Sequence, residues 1–306
     1  MRLILIISLL VFFMGCGKEG SNPVGSDGQD DPTQSATLLF SSGFEGPLVL
    51  TGPNDPLDPD NADYQFIRGT DSQTGFKWPI VLDYLGVDNG GLHLVDVGDG
   101  SAISNDIVTT SDHDGNQTKA LYSIENFVVS DLCTQSPYEI LDLQKGRKDL
   151  YIRYWMKIDS TSVTQNDKWR ALFEYKTKDY DLGNGTGTGF RLISYIYSDE
   201  DGVPYWHWQG DKDPEHPIWE IDNTRIPVPL EEWFLTEYYW HWSDGADGRA
   251  VWRINGQVVG DHAGPTTRYS KPIDFIMLWQ IYGDGNPKHQ WIDDVEIWSK
   301  IPDKYK

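Results

Sequence analysis

Cysteine is nearly missing: the 306 residues hold only Cys16 and Cys133. The first sits at the end of an N-terminal apolar run, so the second has no partner, and a fold without a disulfide is expected, with Cys133 as a small buried hydrophobe. Positive charge is also scarce. Twenty-five Lys and Arg stand against 47 Asp and Glu, a formal net charge of −22, which speaks against nucleic acid and against docking on anionic lipid. Long helical periodicity is missing after residue 20, and no internal repeat is visible. What the chain has in quantity is ring surface, with 13 Trp and 16 Tyr. Such rings fill a sandwich core or stack on the C–H faces of sugars.

At the N-terminus, Arg2 precedes an apolar run from Leu3 to Met14, closed by Gly15 and Cys16. The run is too short to span a bilayer and reads as a secretory signal. The ending "FMGC" resembles a bacterial lipoprotein processing site, which implies that Cys16 is lipidated. The expected location is extracytoplasmic, at the outer membrane or cell surface, with membrane contact through that lipid only. Residues 17–37 are Gly, Ser, Pro, Asp and Gln with little to bury, as in a flexible tether. Residues 38–306 are expected to form one domain, and the protein a monomer.

Beyond the tether, short β-rich runs alternate with Gly, Asp, Asn and Pro clusters. About a dozen candidate strands without crossover helices predict an all-β fold, an antiparallel β-sandwich jelly roll with a concave face. "WRINGQVV" carries the strongest turn signal, Asn255-Gly256 between apolar runs. In "WFLTEYYWHW" (233–242), alternation separates Phe234, Tyr238, Trp240 and Trp242 from Glu237, Tyr239 and His241. The same reading puts Arg170 with Glu174, Arg191 with Tyr195, Tyr205 with His207 and Gln209, and Gln280 with Tyr282, each opposite an apolar face. Tyr, His, Arg and Gln on an outer face suit a trough for an extended ligand.

The segments "LYIRYWMKI", "KWRALFEY", "VPLEEWFLTEYYWHWSDGADGRAVWRINGQVV" and "QWIDDVEIW" resemble the concanavalin A-like jelly rolls of carbohydrate-active proteins, most nearly polysaccharide lyases of the alginate, glucuronan and heparin lyase type. The resemblance covers about residues 148–300 and implies polysaccharide as partner. The paired-arginine strand of alginate lyases is missing, and their Gln-x-His pair is matched only in reverse by His207 and Gln209. In related carbohydrate-binding jelly rolls an early Glu and a late Asp hold a structural calcium ion; Glu45 with Asp293 or Asp294 corresponds. The acidic loops around 53–64 and 179–187 also invite calcium, and the remaining histidines follow no metal spacing.

Three chemistries fit the polar face. A uronate lyase must neutralise the sugar carboxylate, remove its α-proton and protonate the leaving oxygen. Arg170 or Arg191 with Gln209 or Gln280 could bind the carboxylate, while His207, His241, Tyr239, Tyr195 or Tyr282 could move protons. A retaining hydrolase would pair Glu174 with Glu237. A non-catalytic binder would use Tyr195, Tyr205 and Tyr282 for stacking, with Trp78 and Trp219 clamping from loops.

Overall fold

Most of the chain alternates apolar and polar side chains with period two, and this alone produces sheets rather than helices. The computed structural model describes residues 35–51, 64–80, 90–93, 103–125, 138–142, 147–177, 180, 189–212, 216–268, 275–281 and 283–306. Cys16, the tether up to residue 34, Cys133, Tyr282 and the acidic loops at 53–63 and 181–187 lie outside the described residues. The strands are β1 (Leu38–Ser42), β2 (Val49–Thr51), β3 (Tyr64–Thr70), β4 (Lys77–Trp78), β5 (Gly90–His93), β6 (Ile103–Ser111), β7 (Gln117–Glu125), β8 (Tyr138–Asp142) and β9 (Asp149–Ile158), followed by β10 (Trp169–Lys176), β11 (Arg191–Ser198), β12 (Pro204–Asp211), β13 (Pro217–Asn223), β14 (Phe234–His241), β15 (Arg249–Ile254), β16 (Gln257–Ala263), β17 (Phe275–Leu278) and β18 (Lys288–Trp298).

All pairings given by the register are antiparallel, and the strands form two sheets. The back sheet runs β16-β15-β14-β9-β18-β7-β6, with β1 also on β18; the front sheet runs β13-β12-β11-β10-β17-β8-β5-β3-β2, with β4 on β3. This is the expected antiparallel β-sandwich jelly roll. Asn255 and Gly256, both with positive φ, make the β15–β16 turn as the dipeptide requires.

Aromatic residues join the layers. Phe173 stacks on Tyr238 at 4.3 Å between ring centroids, Tyr175 on Trp240 at 4.6 Å, and Trp206 meets Trp252 edge-on at 5.1 Å. Much of the Trp and Tyr surplus is therefore core. At the sheet edge, Trp219 stacks on His262 at 4.1 Å and lies across Gly210, where a Cβ would come within 2.4 Å of the indole. Trp219 thus sits on strand β13, not on a loop.

Two irregularities change the expected faces. A bulge between Ala171 and Phe173 in β10 puts Arg170 and Leu172 on the inner side, while Glu174 stays outward. In β17, Ile276 and Leu278 enter the core and Met277 leaves it, the inverse of the expected phase. The positive φ of Trp279 then turns that indole inward and sets Gln280 beside Glu174.

Candidate functional site

Antiparallel register makes directly opposed residues share a face. Tyr195 stands opposite His207, Ile193 opposite Gln209, and Arg191 opposite Asp211; across the next ladder His207 faces Asp222 and Gln209 faces Glu220. The outer face of β11–β12–β13 therefore collects His207, Gln209, Arg191, Tyr195 and Tyr205 as alternation predicts. Glu174 and Gln280 adjoin from the neighbouring elements, with Gln280 Nε2 donating to Glu174 Oε2 at 3.1 Å.

These groups form one hydrogen-bonded chain. Nδ1 of His207 lies 2.6 Å from Asp222 Oδ1, and its Nε2 lies 3.0 Å from Gln209 Oε1. Gln209 Nε2 donates to Asp211 Oδ2 at 2.6 Å, and the same carboxylate accepts from Arg191 Nη2 at 2.7 Å and from Tyr180 Oη at 2.7 Å. Arg191 Nη1 is 3.9 Å from Glu174 Oε2. The floor is nearly dry, from fully buried Asp211 to 7% exposed His207, while the rim side chains Glu220 and Asp222 are 50% and 59% exposed. Arg191 is thus committed to two carboxylates and stands behind the site rather than at its surface.

The accessible end surrounds His207. Tyr197 meets that ring edge-on at 4.8 Å, Tyr195 approaches to 5.8 Å, and Tyr205 stacks on Tyr197 at 6.0 Å. Burial pushes the Tyr197 phenol up to about 12, with the neighbouring Tyr205 adding to the shift. Burial also raises Tyr195 and Tyr180. These phenols are proton donors at neutral pH.

Three expected members lie elsewhere. Glu237, Tyr239 and His241 do point outward, but from β14, which belongs to the back sheet. Their face is on the opposite side of the sandwich, so one trough cannot gather them with His207 and Arg191, and Glu174 and Glu237 cannot act as a pair on one bond. Glu237 accepts from Tyr151 Oη and faces Arg153 and Arg253 across the ladders. Asp149 Oδ1 accepts from Tyr239 Oη at 2.9 Å and lies 3.0 Å from His241 Nδ1.

Arg170 is likewise no ligand-binding residue. It is fully buried, donates through Nη2 to Gln290 Oε1 at 2.8 Å, and is drawn down to about 10 by burial against the opposing pull of Asp159 and Glu125. Trp78, expected on a loop, ends β4 in the core, stacked on Phe44 at 5.5 Å and donating to Ser42 Oγ at 3.1 Å.

Of the expected cation ligands, Glu45 and Asp293 come together and Asp294 does not join them. Thr118 Oγ1 lies 3.2 Å from Glu45 Oε1 and 3.1 Å from Asp293 Oδ2, although one hydroxyl proton can serve only one of them. Burial pushes Asp293 up to about 8, with repulsion from Asp294 and Glu45 added. A buried and a part-buried carboxylate sharing one hydroxyl are a donor set that a hard cation fits. Asp294 is raised by burial too, but its charged neighbours are His113, Asp112, Glu296 and Arg153. Among the described residues no group of three or more His, Cys, Asp or Glu is arranged to hold a metal ion.

Sequence reasoning missed Asp211, Glu220, Asp222 and Tyr197 as site members. Continuing the period-two count from His207 reaches Asp211, and continuing it from Arg191 through Tyr195 reaches Tyr197, so a signal is present for both. The carboxylates of β13 became visible only once that strand was known to pair with β12.

No family model and no curated protein matches the chain. Solved structures similar to this antiparallel jelly roll include three lyases. Alginate lyase Aly36B is 16% identical, with a TM-score of 0.48 over 65% of this chain and 87% of that one. The endo-β-1,4-glucuronan lyase of the fungus Trichoderma reesei is 14% identical, with a TM-score of 0.43 over 63% and 87%. The PL-14 alginate lyase of Aplysia kurodai is 12% identical, with a TM-score of 0.43 over 65% and 91%. At such identity the likeness extends to no individual side chain.

Proposed function

We propose that the protein cleaves uronate-containing polysaccharide by β-elimination on the outer face of β11–β12–β13. The observation that carries this reading is the row of Tyr205, Tyr197 and Tyr195 around His207, with a buried, fully connected polar chain behind it. In elimination a rim carboxylate, Glu220 or Asp222, takes the α-proton, the electrons of that C–H bond form the new C=C, the C–O bond to the leaving sugar breaks, and the leaving oxygen takes a proton. His207 and the adjacent phenols are the groups that give the leaving oxygen its proton. Gln280 Oε1, buried and accepting no hydrogen bond from the protein, suits a ligand hydroxyl.

A second reading, capture without cleavage, draws on charge. Arg191 is held by Asp211 and Glu174, and the rim adds Glu220 and Asp222, which disfavours a polyanion and suits an uncharged chain. Incubation of the full chain with a panel of uronate-containing and neutral polysaccharides separates the two. New ultraviolet-absorbing unsaturated ends support elimination, retention without cleavage supports capture, and new reducing ends lacking that absorbance contradict both.

The same proposal has the protein lipid-anchored through Cys16 outside the cytoplasm, where polymeric glycan is met. Cys16→Ser should release it from the membrane fraction and abolish labelling by a radioactive fatty acid. Calcium, if held, engages Glu45 and Asp293 and braces β18 against the β1 end, away from the reacting groups.

A further inference from the structure

We propose that Asp211 is a positioning residue that, through Gln209, presents an acceptor to Nε2 of His207 and so makes Nε2 a donor. The proposal rests on reading His207 as the acting group. Asp211 receives only donors: Arg191 through Nε and Nη2, Tyr180 through its hydroxyl, and Gln209 through its amide at 2.6 Å. An ion-paired carboxylate accepts and cannot donate. Gln209 must therefore turn its NH₂ toward Asp211, because the reversed amide would set two acceptor oxygens 2.6 Å apart. Its Oε1 is then left facing His207 Nε2 at 3.0 Å, and an amide oxygen can only accept. Nε2 thus carries a hydrogen directed at Gln209.

Asp222 Oδ1 is likewise only an acceptor and takes a hydrogen from Nδ1, so with both acceptors in place the ring carries a hydrogen on each nitrogen. Nδ1 faces Asp222 at 2.6 Å, Glu220 Oε1 lies 3.7 Å from Nε2, and Tyr195 and Tyr197 offer ring edges and faces. Both nearby carboxylates are acceptors, so they reinforce protons on the ring. While this chain is intact, His207 enters a reaction by giving a proton from Nε2, not by removing one.

The test is the ¹⁵N–¹H spectrum of the His207 ring in the full chain, assigned by loss of its signals in His207→Gln. The wild type should show a protonated Nε2. In Asp211→Asn the carbonyl is retained by Arg191 and the amide NH₂ turns toward Gln209, reversing the Gln209 amide; Nε2 should lose its proton. Glu at 209 accepts from both sides, so the double variant Asp211→Asn/Gln209→Glu should restore it. A bare Nε2 in the wild type, or an unchanged spectrum in folded Asp211→Asn, overturns the proposal. Should Asp211→Asn not fold, Gln209→Leu reads the same contact: loss of the slowly exchanging Nε2 proton supports it and retention overturns it. Failure of every glycan in the panel removes the functional reading but leaves these spectra, and the role of Asp211, to stand by themselves.

Discussion

On the outer face of β11–β12, Glu174, Arg191, His207, Gln209 and Asp211 belong to one bonded chain and are 0–7% exposed. On the outer face of β9–β14 the polar groups pair locally: His241 with Asp149, Arg153 with Glu296, and Arg249 with Asp261. Both faces arise from the same alternation, and both carry imidazole, phenol, carboxylate and guanidinium groups. They differ in solvation. A buried polar network is costly unless every member is satisfied, so its presence on the front face marks groups held in fixed positions, whereas the back-face pairs, with side chains 17–41% exposed, are partly screened by water.

Breaking this contrast should have graded consequences. Arg191→Met leaves Asp211 and Glu174 buried beside no cation and should cost about 3–5 kcal/mol in urea unfolding; a loss below about 1 kcal/mol would show that the front network is no more coupled than the back one. Calcium at a hundredfold excess over its Kd should add about 2.7 kcal/mol to wild-type stability. Asp293→Asn should abolish that gain without altering either face, as thermal unfolding with calcium and with chelator would show.

Alkaline titration probes the front face in its own right, since burial raises Tyr239 and Tyr151 on the back as well. Tyr197 is raised to about 12, and Tyr195 and Tyr180 are raised as well, by burial first. The folded state keeps protons that the unfolded chain releases above pH 10, so stability should fall as pH rises from about 10 to about 12. Tyrosinate absorbance should therefore appear together with unfolding for the front-face phenols. Early reversible ionisation of Tyr197, seen as its loss in Tyr197→Phe, would contradict this. Smallest of all, Arg249→Met removes a pair whose side chains are 41% and 39% exposed and should change stability by less than about 1 kcal/mol.

Local signals made much of this legible from the chain. The Asn255-Gly256 turn, the antiparallel sandwich and the shared face of Arg191, Tyr195, Tyr205, His207 and Gln209 follow from turn chemistry and period two. Alternation tells that a side chain leaves the core, but not through which sheet it leaves. β12 and β14 are equally amphipathic, and only non-local pairing assigns one to each layer, which is why Glu237, Tyr239 and His241 were grouped with His207. Arg170 was misplaced by a single bulge, and Gln280 joins the site only through the positive φ of Trp279. Trp78 shows the limit for aromatics, since an indole suits a sugar clamp and a core equally well.

The most direct test of a front-face site sets His207→Ala beside His241→Ala, both folded, on whichever glycan the wild type cleaves or retains. Removing a proton-transfer group should lower turnover about 10²–10⁴-fold, or abolish retention, in His207→Ala alone, with His241→Ala within about twofold of wild type. Equal loss in both, or loss confined to His241→Ala, would contradict the account.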